Sequence, residues 1–259
     1  MAYAPEYDAV HAAYYDGAYD TIRDPADAAF YMQLAREIGG PVLEIGCGTG
    51  RVLLPIARLG VTCVGLDASP AMLDVLQTKQ PPPNLRTVRA RMQDFDLGPE
   101  RFRLVFSAFR AFQHLYTVED QLACLACVRR ALAPGGVLAF DVFSPDLARL
   151  AQREEPEHEE GRFPAGDDEI VRVTTVRRHL ATQTQDVTMR LERWRGGGLV
   201  GAEIERFRMR WYHRYELEHL LARAGFEIAA LHGGFDRRPY DDESSEIVIV
   251  ARVRPDAAA

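Results

Sequence analysis

Cysteine is scarce in this chain, with four residues among 259. A disulfide-stapled secreted scaffold needs a denser set, so a reduced, cytoplasmic protein is expected. Cys124 and Cys127 form a C-x-x-C, but no second ligand pair stands at zinc spacing and no metal site is expected. The pair lies in an apolar helical stretch, where it reads as two small core residues or as a redox pair. No apolar run approaches the ~20 residues of a membrane span. The opening residues, Met1-Ala2-Tyr3-Ala4-Pro5-Glu6, lack the basic-then-apolar order of a secretory signal. Positive charge is in deficit: 31 Lys and Arg against 38 Asp and Glu give a net charge of −7. Phosphate backbones attract the opposite balance, so nucleic acid is not expected as a bulk partner, although a local basic groove stays open.

The remaining composition is ordinary, 47% apolar and 27% charged, and suits one large domain or one domain with a sizeable insertion. The chain is organised around Pro41-Val42-Leu43-Glu44-Ile45-Gly46-Cys47-Gly48-Thr49-Gly50. Val42, Leu43 and Ile45 read as a buried strand that runs into a glycine turn and then a helix, with Thr49 as its expected N-cap. Such a turn at the carboxyl end of a parallel strand is where nucleotide-like ligands bind in open α/β sheets. A dinucleotide fingerprint G-x-G-x-x-G would need glycine at position 51, where Arg51 stands. Glu44 would repel a diphosphate and attract a cationic or zwitterionic ligand. The plainer alternative is an ordinary glycine-rich strand-to-helix turn.

The pattern E-x-G-x-G-x-G resembles motif I of class I S-adenosylmethionine (SAM)-dependent methyltransferases. Three further matches fall in compatible places: Gly65-Leu66-Asp67-Ala68-Ser69-Pro70-Ala71-Met72, Leu132-Ala133-Pro134-Gly135-Gly136 and the L-x-x-A-G-F run at 221–226. The resemblance implies an α/β fold: a Rossmann-like seven-stranded sheet with helices on both faces. It implies SAM as cofactor and S-adenosylhomocysteine as product. Glu44, Gly46, Cys47, Gly48 and Gly50 would then back the amino-acid part of SAM. Asp67, beside Ala68, would hold the ribose, Met72 the adenine pocket and Asp94 the adenine amino group, with Met92, Gln93 and Phe95 about the ring. Ala108 and Phe109 would border the methyl group, and His114 and Arg110 would face the acceptor. The N/D-P-P-Y signature of many amino-nitrogen methyltransferases is missing after the fourth strand, which argues against a DNA-adenine or protein-glutamine acceptor. His114 is the candidate base, since histidine exchanges protons near neutral pH, and a structural histidine is the alternative. Arg110 reads as an acceptor clamp or as half of a salt bridge.

The flanks suggest the rest of the architecture. Residues 1–40 read as a helical cap rich in tyrosine (Tyr3, Tyr7, Tyr14, Tyr15, Tyr19), with breaks expected near Gly17 and Pro25. Residues 41–150 and 215–254 read as the SAM-binding domain. Residues 153–169 are acidic and turn-rich and read as an exposed linker. Period-two alternation then predicts three antiparallel strands forming an inserted lid over 165–214. Nine arginines between Arg172 and Arg210 stripe it, as a solvated face with glutamate partners or as a nucleic-acid contact. The loop Gly233–Arg238 is expected to face the acceptor, and the tail after Arg254 to be disordered. The lid and the tyrosine-rich helices resemble the glycine and sugar N-methyltransferases, in which an N-terminal tyrosine lies near the acceptor. Tyr14 is then a substrate contact and Tyr15 a cofactor contact and second catalytic candidate. The expected activity is methyl transfer to N or O of a small-molecule acceptor by a monomer or homodimer. A non-catalytic SAM-binding protein and a nicotinamide-dependent oxidoreductase are the alternatives.

Overall fold

The computed structural model describes residues 9–22 and 26–255. Tyr3, Tyr7, Pro25 and the last four residues lie outside them. In chain order the elements are α1 (Ala9–Ile22), α2 (Ala26–Ile38), β1 (Val42–Ile45), α3 (Leu53–Arg58), β2 (Cys63–Asp67), α4 (Pro70–Thr78), β3 (Leu85–Arg89), β4 (Phe102–Ser107), α5 (Val118–Ala131), β5 (Leu132–Phe143), α6 (Leu147–Ala151), β6 (Glu154–Ala165), β7 (Asp168–His179), β8 (Thr184–Arg195), β9 (Gly198–Arg210), α7 (Arg214–Arg223), β10 (Phe226–His232) and β11 (Glu246–Val253).

β1 is buried on both faces, which its Val-Leu-Glu-Ile sequence permits because parallel central strands need apolar side chains on either side. It pairs in parallel with β2 and β4, and the main sheet runs β10-β11-β5-β4-β1-β2-β3. Only β11 is antiparallel to its neighbours. One core layer packs Leu125, Val128 and Leu217 from α5 and α7 on the sheet, and the other packs Tyr31, Leu53 and Leu73 from α2, α3 and α4. Helices therefore cover both faces. Cys124 and Cys127 are both buried on α5 in the first layer, as core residues.

Four local expectations need correction. Gly17 does not break α1; it sits inside the helix because the chain approaches Phe163 of β6, whose ring would lie 2.9 Å from a Cβ there. Thr49 does not cap a helix. α3 begins at Leu53, and Thr49 donates its hydroxyl to Asp16 instead. Ser69 does cap α4, accepting from the Met72 amide with Pro70 at the first position. The loop after β10 packs away from the cavity described below: Arg237 pairs with Glu37 and lies over Phe30 of α2, and Phe235 sits against the same ring.

The fourth correction concerns the lid. The acidic stretch is not a linker but strand β6, so the second sheet has four strands, β6-β7-β8-β9, and starts at Glu154 rather than 165. Its glutamates are matched by the arginines that stripe the sheet: Glu154 with Arg177, Glu155 with Arg178, Glu157 with Arg190 and Glu160 with Arg172. Arg193 and Arg195 pair with Asp168, Arg208 with Asp186 and Arg210 with Glu216. Eight of the nine arginines thus have an acid partner, as the glutamate-partner reading expects, which leaves little free charge for phosphates; Arg178 among them is buried rather than solvated.

α1 bridges the two sheets. Ala18 joins Phe163, Ile170, Met189 and Leu191 in a small apolar cluster, and Tyr14 packs edge-on to Phe163. The end of β9 is stitched to the segment after β4. Gln113 donates to the Arg210 carbonyl, Tyr116 to the Arg208 carbonyl and Tyr212 to the Leu115 carbonyl.

Candidate active site

The carboxyl ends of β1, β2 and β4, the α1 helix and the inner face of the second sheet enclose a cavity of about 340 Å³. Gly46 and Gly48 line it with φ of +76° and +52°, a region that side chains with a Cβ rarely enter. A Cβ at Gly46 would come within 2.8 Å of Ala111, whereas at Gly48 it would enter open space. This is a backbone cradle that a ligand can approach closely.

Asp67, at the end of β2, lines the same cavity. Its two carboxylate oxygens accept from the amides of Gly48 and Ser69, each at 2.8 Å. Burial pushes its pKa up, and those amides oppose the shift. A carboxylate oxygen has two acceptor sites, so both oxygens retain capacity for a further donor pair such as two ribose hydroxyls. Ala68, Met72, Met92 and Gln93 lie alongside.

Five of the residues that the resemblance assigns to the cofactor are not on the cavity lining. Glu44 is buried in β1, where desolvation holds its carboxyl well above the usual range. Cys47 is turned onto β2, against Gly65. Gly50 is needed for packing, since a Cβ would strike Leu76 and Leu54. Phe95 is a core residue, and Asp94 is exposed, its amide closing a turn onto the Arg91 carbonyl. Another acid, Asp120 at the start of α5, lies on the lining near Gln93.

Ala108, Phe109, Arg110 and His114 enter the lining from the segment after β4. Phe109 and Arg110 are both left-handed, at φ +50° and +63°. Non-glycine residues there cost roughly 1–3 kcal/mol each, so something must hold them. The holder is Asp141 of β5, whose carboxylate accepts both amides at 2.9 Å. Arg110 ion-pairs with Glu246 of β11. His114 lines the cavity at the end of a 3-10 turn, its ring 6.2 Å from that of Phe207.

Tyr14 and Tyr15 reach the lining from α1. The Tyr15 ring lies 4.5 Å from Tyr19, and Tyr19 packs edge-on to Phe109 at 4.3 Å. Burial pushes the Tyr15 phenol up to about 12, so it stays protonated at neutral pH. As a neutral phenol it can donate a hydrogen bond into the cavity. Tyr19 was recoverable from sequence, one helical turn after Tyr15. Arg172, Met189, Leu191, Phe207 and Met209 of the second sheet were not, because alternation does not say which face of a sheet meets a cavity.

The residues fit SAM: a glycine cradle, a buried acid with spare acceptor sites and aromatic rings such as Tyr15 on the lining, suited to a cationic ligand. No group of residues able to hold a metal occurs among the described residues. A family model described as a methyltransferase domain matches residues 42–136. The cypemycin N-terminal methyltransferase of a Streptomyces species is 26% identical over 82% of each chain. Other curated relatives are matched over about half their own length. Among solved structures, the CcbJ methyltransferase from Streptomyces caelestis is similar with a TM-score of 0.81 at 29% identity, covering 94% of this chain and 96% of that one. SAM-bound CalS10, an amino pentose methyltransferase from Micromonospora echinaspora, gives 0.69 at 26% identity, covering 96% and 98%. The methyltransferase domain at 42–136 and these likenesses over nearly the whole chain together support a class I SAM-dependent methyltransferase.

Proposed function

We propose that the chain methylates an amine nitrogen on a small-molecule acceptor whose body is largely apolar. The observation that carries this reading is a single cavity with two unlike walls. One is the glycine turn with Asp67, and the other is Met189, Leu191, Phe207 and Met209 of the second sheet, with His114 on the same lining. Two of the lining arginines are already committed, Arg110 to Glu246 and Arg172 to Glu160, which disfavours a polyanionic acceptor. An amine is supported by the relatives described as an N-terminal and an amino pentose methyltransferase.

SAM supplies, when bound, a methyl group on a sulfonium centre already activated for displacement. The chain's task is to position and to exclude water, which can lower a barrier by roughly 7–11 kcal/mol. Gly46 and Gly48 would back the amino-acid part of the cofactor, Asp67 its ribose, and Met72, Met92, Gln93 and Asp120 its adenine. Tyr15 would donate a hydrogen bond as a neutral phenol. His114 would take the proton that the amine sheds, a role typically worth 10²–10⁴-fold. We infer a monomer or homodimer in a reducing, cytoplasmic setting, suited to four free, buried cysteines. No helix among the described residues is long and apolar enough to cross a membrane.

The test begins with calorimetric titration using SAM, S-adenosylhomocysteine and NAD. Binding of the adenosyl ligands alone is expected, and binding of NAD alone would restore the oxidoreductase alternative. A panel of amines with matched apolar and phosphorylated bodies, read as S-adenosylhomocysteine formation, is then expected to favour the apolar members. Turnover confined to phosphorylated amines would overturn the acceptor class, and cofactor binding without turnover on any amine, phenol or thiol would favour a non-catalytic SAM-binding protein.

A further inference from the structure

Asp141 is an acidic residue near the carboxyl end of β5, 1% exposed, and it is not on the cavity lining. Its Oδ1 accepts from the Phe109 amide at 2.9 Å and from the Tyr31 hydroxyl at 2.7 Å, and its Oδ2 accepts from the Arg110 amide at 2.9 Å. Successive backbone N–H groups in a left-handed turn form a concavity that binds anions. Here the anion is the protein's own. Tyr31 fixes the carboxylate from the other side, being itself fully buried on α2 and stacked on Phe106 of β4.

We infer that Asp141 is a positioning residue: through the amides of Phe109 and Arg110 it sets the turn that brings Phe109 and His114 to the cavity. The chemistry requires a carboxylate. Asparagine offers one acceptor and one donor, so in either rotamer an NH₂ would face a backbone N–H. A buried donor facing a donor leaves both unsatisfied, and the turn must then rearrange. The consequence reaches the site because three residues of this short segment beyond Phe109 – Arg110, Ala111 and His114 – share its cavity lining. The inference rests on the methyltransferase assignment only for what the turn serves, not for how it is held.

The experiment compares the full-length protein with Asp141→Asn and Tyr31→Phe by amide hydrogen exchange, on the peptide spanning 108–114. Exchange there is expected to rise at least tenfold in Asp141→Asn, with β1 and β4 within twofold of the parent. Tyr31→Phe should give a smaller rise in the same peptide, since it removes one donor and leaves both amide bonds. A spectroscopic signature should accompany this: the imidazole C–H resonance of His114, assigned by its loss in His114→Gln, shifts in Asp141→Asn. Unchanged exchange at 108–114, or an equal rise throughout the protein with no shift of the His114 resonance, would overturn the inference. If Asp141→Asn does not fold, Tyr31→Phe decides alone: a rise confined to 108–114 supports the role and its absence refutes it. Failure of the parent protein to bind S-adenosylhomocysteine would count against the methyltransferase reading and leave the exchange result standing.

Discussion

The carboxylate of Asp16 accepts the hydroxyl hydrogen of Thr49 at 2.7 Å, and the same carboxylate pairs with Lys79, which also donates to the Thr49 carbonyl. α1 is thereby tied to the cofactor turn and to the end of α4. The contacts are partly exposed, so each is worth about 1 kcal/mol or less. Asp16→Ala should weaken SAM binding about three- to tenfold by calorimetry, and should speed proteolytic cleavage within α1. Unchanged affinity would mean that the apolar cluster around Phe163 holds α1 by itself.

Gly17 and Phe163 set two effects against each other. Alanine in place of a mid-helix glycine gains about 1 kcal/mol of helix propensity. Here the new Cβ would lie 2.9 Å from a buried ring, and overpacking of that kind costs about 1–3 kcal/mol. The clash should win, so Gly17→Ala lowers the denaturation midpoint. In the Phe163→Leu background the same change should be neutral or stabilising. A double-mutant cycle without coupling would remove the close approach as the reason for glycine.

The same pair shows where sequence reasoning runs out. Gly17 reads as a helix break because local propensity disfavours it, and its real cause lies some 146 residues away. Strand β6 is hidden for a related reason: a run of glutamates has neither helical nor strand period, and most of the arginines that neutralise it belong to other strands. The main sheet was legible because its central strands are apolar on both faces and because the glycine turn and Asp67 keep their distance in sequence. At the site, the residues on the strand ends were legible. Asp94 was not separable from Asp120, since both are loop or helix-start acids, and Asp141 could not be picked out because nothing in a strand sequence shows which amides will meet it.

Asp67 carries the polar end of the cofactor site. Asp67→Ala should weaken SAM binding tenfold or more, because hydrogen bonds to a charged acceptor are worth about 1.5–3 kcal/mol. Part of the loss will come from releasing the Gly48 and Ser69 amides. Asp67→Asn can keep only one of those two acceptors and should fall between the parent and the alanine variant. Calorimetric affinity within twofold of the parent would take Asp67 out of the site.

His114 and Tyr15 separate by their pH behaviour. With its phenol near 12, Tyr15 contributes no ionisation between pH 6 and 9. Tyr15→Phe should therefore lower turnover at most about tenfold and leave the midpoints of the pH–rate profile in place. His114→Ala should lower turnover on the order of 10²-fold, with SAM affinity within a few-fold. A midpoint moved by Tyr15→Phe would return the tyrosine to the proton-transfer chemistry.

Asp141 sets stability against function. Burial, then the nearby carboxylate of Glu246, raises its pKa from 3.8 to about 7; Asp27 adds to the rise, whereas the Tyr31 hydrogen bond and Arg110 oppose it. The folded state thus holds a proton that the unfolded state has released between about pH 4 and 7. Stability from this group is complete below pH 4 and is lost as pH rises through 7, by on the order of a few kcal/mol. Glu155, pulled down to about 2 by Arg149, acts with the opposite sign but only below about pH 4.5. In denaturant titrations from pH 4.5 to 7.5, the stability of the parent relative to Asp141→Asn should therefore fall steadily. A constant difference would mean that Asp141 is ionised throughout. The ionised form is the one that accepts both turn amides, and it predominates only above about pH 7, so the segment bearing His114 is held by the full carboxylate where the stability contributed by the neutral form has been lost.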